Sequence, residues 1–152
     1  MTIDSPLTGL IVAMQEELAL VLEQLTQARQ KTIAGLSFHQ GLLSGQPVVA
    51  VVCGVGKVNA ALCTQLLITE FQVQQIINID IASGLDPELM PGDVVIADSL
   101  IHHDMDVTAL GLPLGQIYRL PHFDFVTDKR LRTLVQAAAQ NITAHRTKVG
   151  RI

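Results

Sequence analysis

Two rhythms of apolar and polar residues run along this chain. Gly9–Met14 is a short, wholly apolar run that reads as a buried strand. Gln15–Gln27 then sets Leu18, Val21, Leu22 and Leu25 at the i, i+3, i+4, i+7 spacing of one helix face. Lys31–Leu43 reads as β structure, broken near Ala34-Gly35 and stopped at Ser44-Gly45. Gln46-Pro47 leads into Val48–Cys53, the continuous apolar run of a strand buried on both faces. Gly54-Val55-Gly56-Lys57 turns that strand into an apolar helix from Val58 to about Phe71. Ile76–Ile81 is a further buried strand, ending at Ala82-Ser83-Gly84. Leu85–Gly92, with Pro87 and Pro91, is loop. Asp93–Ala97 is a strand with room to run on to Ile101, and Gly111–Phe125 lacks periodicity and reads as loop. Thr127 is the expected N-cap, with Asp128 in the first turn, of a helix reaching about Gln140. Lys148–Ile152 opens one more apolar run. Strands alternating with helices predict an α/β fold with a mostly parallel or mixed sheet. With no repeat, low-complexity tract or linker, residues 1–152 read as a single domain.

Composition narrows the picture. The 152 residues suffice for one core. Hydrophobic residues are 49% and charged residues only 16%, so part of the surface is expected to be covered by a partner. No apolar run approaches the roughly 20 residues that span a bilayer. A basic segment followed by an apolar one does not open the chain, so the expected location is cytoplasmic. A net charge of −4 without a basic patch, and 3% aromatics, argue against nucleic acid or an anionic membrane as partner. Cys53 and Cys63 sit in apolar surroundings without metal-like spacing and are expected as reduced core residues. Val149-Gly150-Arg151-Ile152 reads as part of a central strand left uncovered, so either another chain completes the fold or the sequence is a piece of something longer.

Four constellations could carry chemistry. Ala13-Met14-Gln15-Glu16-Glu17 places carboxylates where the first strand meets a helix. They either complement the helix N-terminus or belong to a ligand site at the strand's carboxyl end. Gly54-Val55-Gly56-Lys57 is a strand–helix turn that would let backbone N–H groups meet a ligand, but it has neither Walker A nor G-x-G-x-x-G spacing. His102-His103-Asp104-Met105-Asp106, if extended, puts His102, Asp104 and Asp106 on one side. A metal is not expected there; a loop whose carboxylates bond backbone N–H groups is. Asp80 interrupts an apolar strand, so it lies at the sheet's end or serves a site.

Taken in order, G-L-I-V-A-M-Q-E-E-L, V-C-G-V-G-K-V-N-A-A, P-G-D-V-V-I-A-D, H-D-M-D-V-T-A-L-G and G-Q-I resemble the 5′-methylthioadenosine/S-adenosylhomocysteine nucleosidases of the purine and uridine phosphorylase superfamily. The resemblance runs from about Gly9 to Ile152 and covers the N-terminal two-thirds of a family member. It implies a three-layer α/β sandwich around a central mixed sheet, C-terminally truncated. It also implies hydrolysis of the N-glycosidic bond of a thioether nucleoside, releasing adenine, with no metal or organic cofactor. Glu17 matches the carboxylate that activates water. Ala13 and Met14 match the nucleophile and ribose region, Val55 a residue beside the sugar, and Val107 and Leu110 the thioalkyl edge of the pocket. Ala82, Ser83 and Gly84 fall in the family's purine loop, of the form N-T-G-S-A-G-G, which here reads Asn78-Ile79-Asp80-Ile81-Ala82-Ser83-Gly84. Branched residues and a carboxylate thus stand where the family has small ones. The methionine–glutamate pair that holds the ribose and the aspartate that protonates adenine have no counterpart here, so weak or no activity is expected of this chain alone. The resemblance also implies a homodimer, with Leu112–Leu120 as the loop near a partner's pocket. Two other functions compete: a non-catalytic paralogue acting as a binding or assembly subunit, and a nucleoside-cleaving relative in which Asp80 accommodates a different base.

Overall fold

A computed structural model describes residues 5–141 and 145–152. The chain forms two compact units, one up to Ala82 and one from Ser83.

The first unit holds β1 (Thr8–Val12), α1 (Gln15–Gln24), β2 (Leu25–Ile33), β3 (Leu36–Leu43), β4 (Gln46–Val52), α2 (Lys57–Phe71) and β5 (Gln75–Asn78). Its mixed sheet has the order β2-β3-β4-β1-β5. β1 runs parallel to β4 and to β5, while β2, β3 and β4 pair antiparallel. The antiparallel strands are joined by two-residue turns at Ala34-Gly35 and Ser44-Gly45. All four turn residues have positive φ (51°, 80°, 49° and 78°), the geometry whose twist suits tight hairpins.

Period-two alternation along β1 and β4 sorts the core onto two faces. Ile11, Val49 and Val51 pack with Phe38, Cys63 and Leu67 on the α2 side. Leu10, Val12, Val48 and Ala50 pack with Leu18 on the α1 side. A helix on each face gives the predicted three layers. Burying a side chain such as Leu18 or Leu67 contributes about 1.5–3 kcal/mol. Gly9 lets α2 sit close: a Cβ there would lie 3.2 Å from Leu67 Cδ1 and 3.3 Å from Ile76 Cγ1.

Three boundaries differ from the sequence reading. The first helix stops at Gln24, because Leu25 turns extended and pairs with Leu43 to begin β2. β2 was expected only from Lys31; its first residues are polar and exposed, as an edge strand permits, so no alternation marks them. β5 ends at Asn78 rather than Ile81. It runs out of partner where β1 ends, and Ile79 makes the last contact by donating its N–H to Ile11 O at 3.1 Å. Ile81 is then 74% exposed.

The second unit holds β6 (Val94–Leu100), a 3-10 turn (Thr108–Leu110), β7 (Phe125–Val126), α3 (Lys129–Ala139) and β8 (Thr147–Arg151). Its sheet order is β7-β6-β8, with β8 parallel and β7 antiparallel to β6. The final apolar run is therefore a strand, in an outer rather than a central place in this sheet. Asp128, not Thr127, caps α3: its carboxylate accepts the Leu131 N–H at 2.8 Å. Thr127 is still tied to β6, its hydroxyl donating to Ala97 O at 2.7 Å. The buried Gln116 amide organises the loop before β7 by donating to the carbonyls of Ile117, Leu120 and His122. Among the described residues, no helix is long and apolar enough to cross a membrane.

Candidate active site

The carboxyl ends of β4, β1 and β5 lie side by side at one edge of the first unit's sheet, where parallel α/β sheets place ligands. β1 passes into α1 through Ala13 and Met14. Methionine offers no oxygen to cap the helix, so Glu17, in the first turn, reaches back instead. Its Oε2 accepts the N–H of Ala13 at 3.0 Å and of Met14 at 2.8 Å. Its Oε1 accepts the N–H of Ile81 at 3.2 Å. These bonds fix the side chain from both sides, by its own helix entrance and by the segment leaving β5.

Asp80 completes the cluster. Its Oδ1 accepts the Ile81 N–H at 2.8 Å, the same N–H that Glu17 Oε1 accepts, so the two carboxyls are neighbours. Two carboxylates so close repel one another, which separates their affinities for a proton. The Met14 N–H, and next the hydrogen bond from Asp80, hold Glu17 below the usual carboxylate range. Desolvation, and next the hydrogen bond to Glu17, hold Asp80 above it. Of the two, Glu17 gives up its proton the more readily. The sequence reading left Asp80 open between the sheet's end and a site, on the signal of a carboxylate breaking an apolar run; it lies past the end of β5 and beside Glu17.

Other expected residues distribute as follows. Ala13 and Met14 are half-buried beside Glu17. Val55 is exposed in the turn between β4 and α2, and its carbonyl accepts the Asn59 Nδ2 at 2.8 Å. Gly54 and Gly56 flank it with φ of 86° and 107°, which side-chain-bearing residues rarely adopt. Ala82 is exposed where the first unit ends. Ser83, Gly84, Val107 and Leu110 belong to the second unit: Ser83 and Gly84 are exposed, Val107 is half-buried ahead of the 3-10 turn, and Leu110 is exposed. The structure thus gathers Ala13, Met14 and Glu17 with Asp80 and Ile81.

Cys53, at the end of β4, is buried and free, as is Cys63. Desolvation, and then the charges of Asp80 and Glu17, raise the Cys53 thiol. Burial pushes Cys63 up to about 11. Residues 102–106 are not extended as the face-sharing reading required. They turn, with Met105 N–H donating to His102 O, and Asp106 accepts both the N–H and the hydroxyl of Thr108. Among the described residues, no group of three or more His, Cys, Asp or Glu is placed to hold a metal.

The profile of the phosphorylase superfamily matches residues 8–152. A 5′-methylthioadenosine/S-adenosylhomocysteine nucleosidase of Marinomonas sp. (strain MWYL1) is 45% identical over 144 residues, covering 95% of this chain and 62% of the relative. The corresponding protein of Colwellia psychrerythraea is 43% identical over 143 residues, covering 90% and 59%. The chain spans about three-fifths of the length of these curated relatives. The Neisseria meningitidis nucleosidase, solved in complex with methylthio-immucillin-A, superposes with a TM-score of 0.91 at 35% identity, covering 96% of this chain and 63% of that one. The Colwellia psychrerythraea nucleosidase in complex with adenine also gives 0.91, at 37% identity, covering 97% and 60%. The fold is nucleoside phosphorylase-like, and the chain belongs to the phosphorylase superfamily, on the branch of the 5′-methylthioadenosine/S-adenosylhomocysteine nucleosidases.

Proposed function

We propose that this chain carries the water-activating part of a nucleosidase that releases adenine from 5′-methylthioadenosine or S-adenosylhomocysteine. The observation that carries the reading is the Glu17 carboxylate, charged and fixed by three backbone N–H groups at the carboxyl edge of the parallel strands. In the reaction, Glu17 takes a proton from water and the oxygen bonds to the anomeric carbon. The bond from that carbon to the purine nitrogen breaks, and its electron pair goes to adenine, which needs a proton of its own. The transition state is oxocarbenium-like, so a fixed anion near the anomeric carbon stabilises it. A carboxylate in this place also disfavours phosphate as nucleophile, since two anions in one small site repel.

Ala13, Met14 and Val55 are the proposed neighbours of the nucleophile and the sugar. Ala82, Ser83 and Gly84 would meet the purine, and Val107 and Leu110 the thioalkyl tail. No cofactor enters this scheme. The two compact units are read as parts of one nucleoside phosphorylase-like domain acting in the cytoplasm. A homodimer is part of the proposal, supported by the outer face of α2, where Val58 is 83% and Leu62 50% exposed. Activity of this chain alone is expected to be very weak. Loss of a leaving-group acid by itself costs about 10²–10⁴-fold.

A second reading, a non-catalytic binding or assembly subunit, draws on Ile79-Asp80-Ile81, whose bulk stands where the family's loop is small. A third gives Asp80 to a base other than adenine. A nucleoside screen followed by chromatography of the released bases separates them. Adenine from methylthioadenosine alone supports the main reading. Another base released preferentially, by a route that Asp80→Gly abolishes, supports the third. Calorimetry with adenine and methylthioadenosine that finds no binding would favour the second.

A further inference from the structure

The turn from β4 into α2 has little to hold it in place by itself. Gly54 and Gly56 carry no side chains, their φ values of 86° and 107° leave the backbone unusually free, and the Val55 side chain is exposed. Both ends of the turn are nonetheless firm. On one side the Cys53 N–H donates to Val12 O at 2.9 Å, which sets the turn beside Ala13. On the other, α2 is anchored by fully buried Cys63 and Leu67. The Asn59 side chain, in the first turn of α2, reaches back from the helix: its Nδ2 donates to Val55 O at 2.8 Å. The same amide lies against Gly54, where a Cβ would sit 3.2 Å from it.

We propose that Asn59 is a positioning residue for the sugar end of the site, a role that rests on the nucleosidase reading, in which Val55 is the sugar's neighbour. Asn59 passes the rigidity of a packed helix to a glycine turn that has none of its own. The arrangement lies wholly within the first unit. It also explains the residue type. A carbonyl oxygen needs a donor, which an amide supplies and a carboxylate of the same shape does not.

The test compares the wild-type chain with Asn59→Ala and Asn59→Asp. Negative charge near a helix N-terminus is favourable, so Asn59→Asp removes the donor without weakening the helix, and its melting temperature should not fall. Nitrogen-15 relaxation of the Val55 and Gly56 amides reports on the turn in the free chain. The turn is expected to be as rigid as α2 in wild type and looser in both variants. Equal rigidity in all three overturns the proposal. Calorimetry then compares methylthioadenosine with adenine, which has no sugar. Loss of one such hydrogen bond should weaken methylthioadenosine binding about two- to tenfold in both variants and leave adenine unchanged. Equal affinity of the three chains for methylthioadenosine, or the same loss for adenine, overturns it. If methylthioadenosine binds none of the three, the nucleosidase reading fails and the sugar role with it, while the relaxation data still decide whether Asn59 holds the turn.

Discussion

Three backbone N–H groups and a neighbouring carboxyl converge on Glu17, so one side chain serves both the helix entrance and the proposed chemistry. Substituting Glu17→Ala leaves the Ala13 and Met14 N–H groups without that acceptor. It is expected to lower the melting temperature as well as remove any activity, whereas Glu17→Gln, which keeps an acceptor oxygen, should melt closer to wild type. Thermal denaturation of both variants checks this. Glu17 was legible as a charge at a strand's carboxyl end, and its match to the family motif singled it out from Glu16. Its contact with Asp80 was not legible, because the two are 63 positions apart and meet only when β5 pairs beside β1. The cysteines were legible from their apolar neighbours. With burial raising the Cys63 thiol to about 11, roughly a thousandth of it is thiolate at pH 8, and the sulfur is also shielded from reagent. Cys63 should therefore resist iodoacetamide at pH 8 until denaturant is added, and fast labelling in the native chain would contradict the placement.

At the scale of elements, the buried strands announced themselves and the exposed ones did not. β1 and β4 are continuous apolar runs because both of their faces are covered. The polar start of β2 follows no period, since an edge strand is stabilised by pairing with β3 rather than by burial. Helix α1 was overextended because Leu25 continues its apolar stripe, although that side chain is used from a strand. Packing between β1 and α2 leaves little slack. Gly9→Val is expected to destabilise the chain by about 1–3 kcal/mol through overpacking, and Leu67→Ala by about 2–5 kcal/mol through a cavity, both measurable by urea unfolding. In the second unit, the Met90 N–H and then the Arg146 N–H hold the Asp93 carboxyl below its ordinary 3.8. A depressed carboxylate adds stability that is complete above its ordinary value and lost as pH falls through its folded value. The gap in urea midpoint between wild type and Asp93→Asn should be widest near pH 6 and shrink toward pH 3.

For the molecule as a whole, composition foresaw uncovered apolar surface, and α2 carries part of it. Val58, Leu62 and Ile68 are exposed on a helix whose Cys63 and Leu67 are fully buried. If that face meets a second copy, Val58→Glu should shift sedimentation toward a smaller species without changing the circular dichroism spectrum. The central claim is that Glu17 is the base of a nucleosidase site in this chain. A single-turnover assay tests it most directly, with the 152-residue chain in excess over methylthioadenosine and adenine followed chromatographically. The account predicts slow adenine release that falls by about 10²–10⁴-fold, to background, in Glu17→Ala. Adenine release at the same rate from both proteins would contradict it.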